Sequence, residues 1–155
     1  MMNRRYPTFK DASECPRCAD EPSGEFIRAL EQFNRGEFFE QHETLEELWI
    51  EEKDEVRSLY KGILQIGVGY HHLLDRHNYK GAVSKLESGC RWLRAFQPRC
   101  RGVNVTRLIE DAQRSLAALR ELGPERMDEF DQRLIAKVHY IAHSGVLEDT
   151  RRKGP

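Results

Sequence analysis

The sequence lacks a long apolar run, and it lacks an excess of charge of either sign. No apolar stretch approaches the roughly 18 residues that a membrane-spanning helix needs. The 25 basic and 26 acidic residues give a net charge of -1, which leaves no electrostatic footprint for nucleic acid or for an anionic membrane. We therefore predict neither a nucleic acid nor a membrane as a partner.

Familiar catalytic motifs are also missing. The chain carries no serine-centred nucleophile elbow, no phosphate-binding glycine loop and no paired-cysteine ribbon. No segment alternates apolar and polar residues as a half-buried strand would. The missing motifs leave open whether the protein is an enzyme. The missing alternation predicts an all-α fold.

Cysteine is scarce, with four residues in a chain of 155. A chain of this length can bury an ordinary core without disulfides. Arg4 and Arg5 are followed by no apolar segment, so we expect no secretory signal. Free thiols in a reducing compartment are then the expectation, and we predict a cytoplasmic location.

Helical periodicity divides the chain into three predicted parts. Residues 1–22 form an irregular N-terminal arm, residues 23–138 a single helical-bundle domain, and residues 139–155 a C-terminal tail. The compact bundle has five main helices plus a short C-terminal helix, and the second and third helices form a central antiparallel hairpin. The predicted helices span 24–33 with Ser23 as cap, 37–52, 55–76 with Asp54 as cap, 79–96, 105–122 and 126–138. A helical-repeat scaffold with a concave groove is the competing arrangement.

The second predicted helix carries ionisable groups on its apolar side. At about 100° per residue, Phe38 and Trp49 share a narrow arc that contains His42. Glu46 lies beside this arc and Glu43 at its edge. Such groups are costly to bury without partners, so this helix marks either a structural network or a site.

The third predicted helix supplies candidate partners. If the two helices turn near Lys53, His42 is level with Gln65. His72 then lies about 10 Å further along. We predict that His42 is mostly buried and hydrogen-bonded to Gln65. The candidate polar pocket comprises His42, Glu43, Glu46, Trp49, Gln65 and His72.

Two glycines on one side of the third helix, Gly62 and Gly69, predict a close helix contact. Each costs up to about 1 kcal/mol of helix propensity relative to alanine, which a closely packed neighbouring helix could offset. The alternative is that the glycines hollow out a cleft with Gln65 and His72 on its floor.

A metal is an alternative use of the same helix. The HExxE motif His42-Glu43-x-x-Glu46 resembles the start of a zinc-protease helix, but a carboxylate replaces the second histidine ligand. His42 and Glu46 could hold a metal only if a third ligand arrived from elsewhere. The predicted offset of His72 argues against that residue as the third ligand.

The N-terminal arm contains a CxxC motif formed by Cys15 and Cys18. One such pair is a moderate signal for metal or dithiol chemistry, whereas a closed zinc site needs four ligands. We predict free thiols and no cofactor, with zinc shared between two subunits or a redox pair as alternatives. Because an arm adds little to a core, we expect serine at both positions to leave stability almost unchanged.

Three segments together resemble a known bacterial and archaeal family. FNRGEFFEQHETLEELW, YKGILQIGVGYHHLL and NYKGA resemble the family catalogued as domain of unknown function 309, over about residues 26–122. The resemblance implies a compact helical bundle with an uncharacterised role and a shared site. The family's signature residues correspond to Phe33, Gly36, His42, Glu43, Glu46, Trp49, Gly62, Gln65, His72, Asn78, Gly81 and Ala82. The family has Gly-Asn where this chain has His77-Asn78, so a left-handed turn there would strain His77.

The sequence supports three hypotheses of function. The first is a small-molecule or peptide-binding module with a His/Glu/Gln polar pocket between helices two and three. The second is a metal-dependent hydrolase in which His42 and Glu46 are ligands and Glu43 is the general base. The third is a structural or interaction scaffold, for which a homodimer is conceivable.

Overall fold

The computed structural model describes residues 6–142, and these form an all-α bundle. The five α-helices are α1 Gly24–Asn34, α2 Phe38–Glu51, α3 Arg57–Leu74, α4 Tyr79–Leu93 and α5 Val105–Leu122. The predicted fold class is therefore confirmed. None of the helices within this part of the chain combines the length and apolar character needed to cross a bilayer. Most of the predicted C-terminal tail lies outside the described residues.

Short 3₁₀ segments and one small hairpin connect the helices. The 3₁₀ segments are Ala12–Glu14, Pro16–Ala19, Arg94–Phe96, Pro124–Glu129 and Gln132–Leu134, and the antiparallel strands are β1 Arg99–Cys100 and β2 Val103–Asn104. In place of the short helix expected over residues 126–138, the chain has two separate 3₁₀ segments, and residues 136–138 are not helical. The hairpin escapes a periodicity argument because two-residue strands are too short to alternate.

Polar side chains cap the first, fourth and fifth helices. Ser23 caps α1 as predicted, since its Oγ accepts a hydrogen bond from the Phe26 N–H at 3.2 Å. Asn78 and Asn104 cap α4 and α5 in the same way. Each cap satisfies a backbone N–H that the helix itself leaves unpaired.

The predicted cap of α3 by Asp54 is wrong. The residue before α3 is Val56, which offers no side-chain cap. Asp54 instead accepts a hydrogen bond from Arg17 at 2.7 Å, and Arg17 also contacts Glu52 at 3.3 Å. These ion pairs tie the N-terminal segment to the connection between α2 and α3.

Helices α2 and α3 form the predicted antiparallel hairpin. Near the start of α2, the rings of Phe38 and Tyr70 lie 5.5 Å apart. Near its end, the Trp49 carbonyl accepts a hydrogen bond from Arg57 at 3.1 Å. Residue numbers therefore rise along α2 as they fall along α3, which is the antiparallel order.

Helix α4 packs closely against the glycine side of α3, as the glycine spacing predicts. A Cβ at Gly62 would lie 2.6 Å from Leu93, and one at Gly69 would lie 2.9 Å from Leu86. Gly89 of α4 faces back toward α3, where a Cβ would lie 2.9 Å from the Gly62 carbonyl oxygen. Side chains of α4 thus occupy the space beside Gly62 and Gly69, so these glycines do not form an open cleft.

The buried Tyr70 hydroxyl joins α3, α5 and the segment after α5. It lies 2.8 Å from Ser115 Oγ and accepts a hydrogen bond from the Ala136 N–H at 3.1 Å. Ser115 donates its own proton to the Leu134 carbonyl at 2.6 Å. The Tyr70 hydroxyl is therefore the donor toward Ser115, and every polar group in this network is paired.

The Tyr70 network predicts a loss of stability in alkali. Burial raises the pKa of Tyr70 to about 12, although its hydrogen bonds with Ser115 and the Ala136 N–H lower it. An unfolded tyrosine has a pKa near about 10. The contribution of the neutral phenol is fully present below pH 10 and is lost as the pH rises toward about 12. We expect the free energy of unfolding in urea to fall across this window.

Tyr70→Phe provides the control for that pH dependence. The variant should lose about 1–3 kcal/mol at neutral pH, because the Ala136 N–H loses its partner. Its stability should then fall less steeply than that of the parent above about pH 10. Parallel curves for the two proteins would show that Tyr70 does not titrate in this way.

Candidate functional site

Helix α2 buries a different side from the one its apolar residues predict. The side chains that it buries are Phe38, Gln41, Thr44 and Leu45. Gln41 packs against Gly67 of α3, where its amide occupies the space that a Cβ would fill. The buried side of α2 is therefore displaced toward Gln41 and away from His42.

His42 consequently lies at the rim of the interface between α2 and α3. The relative solvent exposure of its side chain is 36%, and its Nε2 lies 3.9 Å from Glu46 Oε1. Gln65 Oε1 is buried without a hydrogen-bond partner among residues 6–142. The predicted hydrogen bond between His42 and Gln65 is therefore wrong, and His42 is only partly buried because α2 turns Gln41 into the interface instead.

A cavity of about 200 Å³ opens beside His42. Its walls come from α2, α3 and α4, and the residues lining it are His42, Glu46, Trp49, Lys61, Leu64, Gln65, Val68 and Lys85. Four of the six predicted pocket residues are thus brought together. Glu43 is exposed and lies outside the lining, as does His72. That these residues bind a ligand stays a prediction.

Trp49 forms a fixed wall of this cavity. The Lys61 ammonium lies 4.7 Å and the Arg57 guanidinium 4.5 Å from the centre of its ring. Arg57 also donates hydrogen bonds to the Trp49 carbonyl at 3.1 and 3.3 Å. Cation–π contacts of this kind contribute about 0.5–1 kcal/mol each at exposed sites, so the indole is held in place.

Two lysines in the lining are absent from the predicted site. Lys61 lies one helical turn before Gln65 and could have been found from that spacing. Lys85 comes from α4, and the predicted pocket is confined to the second and third helices. With both lysines present, the cavity contains more cationic than anionic side chains.

Gln65 is the one buried polar side chain in the lining. It is 8% exposed, and its Oε1 has no partner among the described residues. A buried acceptor without a hydrogen bond costs about 1–3 kcal/mol. A ligand that donated an N–H or O–H to this oxygen would remove that cost.

His72 lies further along α3, near the start of α4. A Cβ at Gly81 would lie 3.0 Å from its Cδ2. Burial lowers the pKa of His72, and the nearby Arg76 lowers it further, so the imidazole is neutral at pH 7. Its place outside the cavity agrees with the predicted offset from His42.

Removing the partly exposed His42 side chain should have a small effect. We expect His42→Ala to alter the free energy of unfolding by less than about 1 kcal/mol, because a partly exposed side chain without a buried hydrogen bond contributes little. Leu45→Ala, at a fully buried position on the same helix, should cost about 2–5 kcal/mol. Urea unfolding of both variants tests the difference, and a loss above about 2 kcal/mol for His42→Ala would argue for an enclosed role.

Three cysteines form a second candidate site. Cys18 and Cys100 are joined by a disulfide, while Cys15 is a free thiol. All three are buried in the core. The predictions that Cys18 is a free thiol and that the arm adds little to the core are therefore wrong, because the hairpin carrying Cys100 meets the Pro16–Ala19 turn.

These cysteines also form a group able to hold a metal ion. Their sulfur atoms all lie within 4.8 Å of one another. Within residues 6–142, no third histidine, cysteine or carboxylate joins His42 and Glu46 in such a group. Zinc-type ligands therefore converge at the cysteines and not on α2.

Comparison with known proteins identifies the central part of the chain. Residues 26–84 match the family model described as Domain of unknown function (DUF309). This match supports the predicted resemblance over residues 26–84. No curated protein matches the chain. The matched segment includes most of α1, all of α2 and α3 and the start of α4, whereas Lys85 and the three clustered cysteines lie outside it.

The turn after α3 places His77 in the left-handed region, with a φ of 48°. This conformation costs a residue with a Cβ roughly 1–2 kcal/mol. Glycine would adopt it freely, and His77 is strained as the sequence predicts.

Proposed function

We propose that the cavity between α2, α3 and α4 binds a small molecule that carries an anionic group and a hydrogen-bond donor. The observation that carries the proposal is the buried, unpartnered Oε1 of Gln65. Gln65 lines the cavity, and a buried acceptor without a partner gains from a ligand that donates a hydrogen bond to it.

The charges around the cavity support an anionic ligand. Lys61 and Lys85 line it together with His42, whereas Glu46 is the single carboxylate in the lining. Hydrogen bonds that involve charged groups contribute about 1.5–3 kcal/mol. A carboxylate or a phosphate monoester is therefore the favoured class of anion.

The size of the cavity favours a small ligand over a peptide. Its volume of about 200 Å³ is below the roughly 300–1,000 Å³ of sites for drug-sized molecules. Trp49, Leu64 and Val68 provide an apolar surface for the carbon skeleton. We therefore propose a short hydroxy acid, an amino acid or a small phosphate monoester.

Thermal-shift screening followed by calorimetry tests this proposal. The panel contains small hydroxy acids, amino acids and phosphate monoesters, with acetate and inorganic phosphate as anions that lack the carbon skeleton. We expect Lys85→Ala to reduce the affinity for the best ligand by at least about tenfold. A hydrogen bond to a charged group contributes about 1.5–3 kcal/mol, and about 1.4 kcal/mol corresponds to a tenfold change in affinity. Lys80→Ala removes an exposed lysine from the same helix and should have no effect.

Gln65→Leu provides a second test of the same cavity. The variant should fold at least as stably as the parent, because it removes an unpaired buried acceptor. It should lose affinity for ligands with a hydrogen-bond donor and keep its affinity for anions without one. Equal affinities in the parent, Lys85→Ala and Gln65→Leu would contradict the proposal.

The hydrolase hypothesis receives less support from the geometry. Glu43, its general base, is exposed and lies outside the cavity lining. Its two ligands, His42 and Glu46, are not joined by a third among the described residues. If the chain binds zinc, the cysteine cluster provides the ligands that zinc prefers.

The interaction-scaffold hypothesis is supported by two exposed apolar residues on α2. Phe39 and Ile50 are both exposed, and eleven residues of separation place them on one side of a helix. We keep a homodimer through this side, a cytoplasmic location and the absence of a nucleic-acid partner as proposals. Light scattering on the parent and on Phe39→Ser with Ile50→Ser tests the homodimer.

A further inference from the structure

The cysteine cluster contains a third sulfur, from Cys15, in addition to the two sulfurs of the disulfide. Cys18 and Cys100 form the bond, yet Cys15 places a third sulfur within 4.8 Å of both. The three side chains are buried and arrive from two different parts of the chain. Three thiol sulfurs therefore converge on one point inside the protein.

The first two cysteines are presented by a tight turn. Cys15 precedes the 3₁₀ segment Pro16–Ala19, and Pro16 occupies its first position. The Cys18 N–H donates a hydrogen bond to the Cys15 carbonyl at 3.0 Å. The turn brings both sulfurs to the same side, which is the arrangement in which C-x₂-C pairs bind zinc.

The third cysteine is held against this turn by the small hairpin. After Cys100, Arg101 and Gly102 have φ values of 50° and 81°, as a tight two-residue hairpin turn requires. The Arg101 N–H donates to the Cys18 carbonyl at 2.7 Å, and its guanidinium donates to the Glu21 carbonyl at 3.0 Å. The position of Cys100 is therefore fixed by the backbone as well as by the disulfide.

We propose that Cys15, Cys18 and Cys100 form an open Zn²⁺ site in the reduced chain, and that the Cys18–Cys100 disulfide is the oxidised, metal-free form of this site. Zn–S bonds are about 2.3 Å long, so three tetrahedral thiolates stand roughly 3.8 Å apart. After reduction the Cys18 and Cys100 sulfurs separate toward that spacing, and the Cys15 sulfur already lies within 4.8 Å of both. The proposal is independent of the anion-binding cavity.

A neighbouring cavity gives the zinc a fourth position and a path of entry. Cys15 lines a cavity of about 570 Å³ together with Glu14, Asp54 and Glu55. Water entering from this cavity can complete the tetrahedron. Three protein ligands with one exchangeable position are the pattern of zinc sites that act on a bound molecule.

The two forms interconvert by a balanced two-electron step. In loading, the three thiols release their protons and their sulfurs bind Zn²⁺. In oxidation by hydrogen peroxide, the Cys18 and Cys100 thiolates give two electrons to the peroxide, which takes up two protons and leaves as two waters. The sulfur–sulfur bond forms, Zn²⁺ departs, and the Cys15 thiolate takes up a proton.

Metal analysis of the full chain tests the proposal. The protein is reduced with a phosphine, loaded with Zn²⁺ or Co²⁺ and desalted. We expect about one ion per chain, with a thiolate-to-cobalt charge-transfer band in the Co²⁺ form. Hydrogen peroxide should release the zinc, and peptide mapping should then find Cys18 joined to Cys100.

Cys15→Ser separates the zinc site from a simple disulfide. The variant keeps both cysteines of the disulfide and should fold when oxidised, yet after reduction it should bind zinc more than about 100-fold less tightly, since loss of a ligand exceeds the 10–100-fold effect of losing a supporting contact. Cys90→Ala changes the other buried free cysteine and should bind zinc normally. Zinc binding by Cys15→Ser equal to that of the parent, or no binding by the reduced parent, would overturn the proposal.

Discussion

Replacing Cys18 and Cys100 together by serine is expected to lower the free energy of unfolding of the oxidised protein by about 4 kcal/mol. The disulfide joins residues 82 positions apart. Closing a loop of that length removes conformational entropy from the unfolded chain equivalent to about 4.5 kcal/mol at 25 °C in the chain-entropy treatment. Urea unfolding at neutral pH, with EDTA present to exclude metal, measures the loss.

Two controls separate the cross-link from the cysteines themselves. Cys15→Ala keeps the disulfide and should cost about 1 kcal/mol, as a typical single substitution does. Reduction should destabilise the parent by nearly as much as the double substitution, while the double variant should not respond to reduction. If the double variant and the oxidised parent unfold at the same urea concentration, the expectation of a weakly attached arm was right after all.

The helices could be predicted from sequence because their signals are local. Ser23 caps α1, and the apolar periods locate all five main helices within a few residues. The antiparallel order of α2 and α3 follows from the short connection between them. Gly62 and Gly69 predict the close contact with α4, since glycine in a helix interior is otherwise unfavourable.

The disulfide could not be predicted because its two cysteines are far apart in the chain. Cys18 and Cys15 form a CxxC motif, and the spacing of this motif predicts a local pair and does not indicate Cys100. The pairing depends on the hairpin of β1 and β2, and that hairpin is too short to leave a periodic pattern. Long-range contacts of this kind arise from tertiary packing alone.

The predicted orientation of α2 is wrong because the periodicity argument places only apolar residues in the interface, whereas the polar Gln41 is buried there. Gln41 is fully buried, while Phe39 and Ile50 are exposed. The space for Gln41 comes from Gly67 on the facing helix, which is a relation between two helices. The residues of the cavity were therefore found only in part, and Lys85 required the position of a third helix.

The close contact between α3 and α4 predicts a large effect at Gly89. We expect Gly89→Ala to lower the free energy of unfolding by about 1–3 kcal/mol, although alanine favours a helix by up to about 1 kcal/mol. The new Cβ would lie 2.9 Å from the Gly62 carbonyl oxygen and 3.0 Å from the Ile66 backbone nitrogen. Backbone atoms cannot turn aside as a flexible side chain can, so the two helices must separate. Gly89→Val should lower the free energy of unfolding by more than Gly89→Ala does.

Gly24→Ala is the matched control for this overpacking. Gly24 is the first residue of α1, and a Cβ there meets no atom within 4 Å. The same substitution should therefore leave stability unchanged or raise it slightly, because alanine restricts the unfolded chain more than glycine does. Urea unfolding of the three variants beside the parent gives the comparison. If Gly89→Ala were as stable as Gly24→Ala, α3 and α4 would have to tolerate a wider separation than their glycine contact implies.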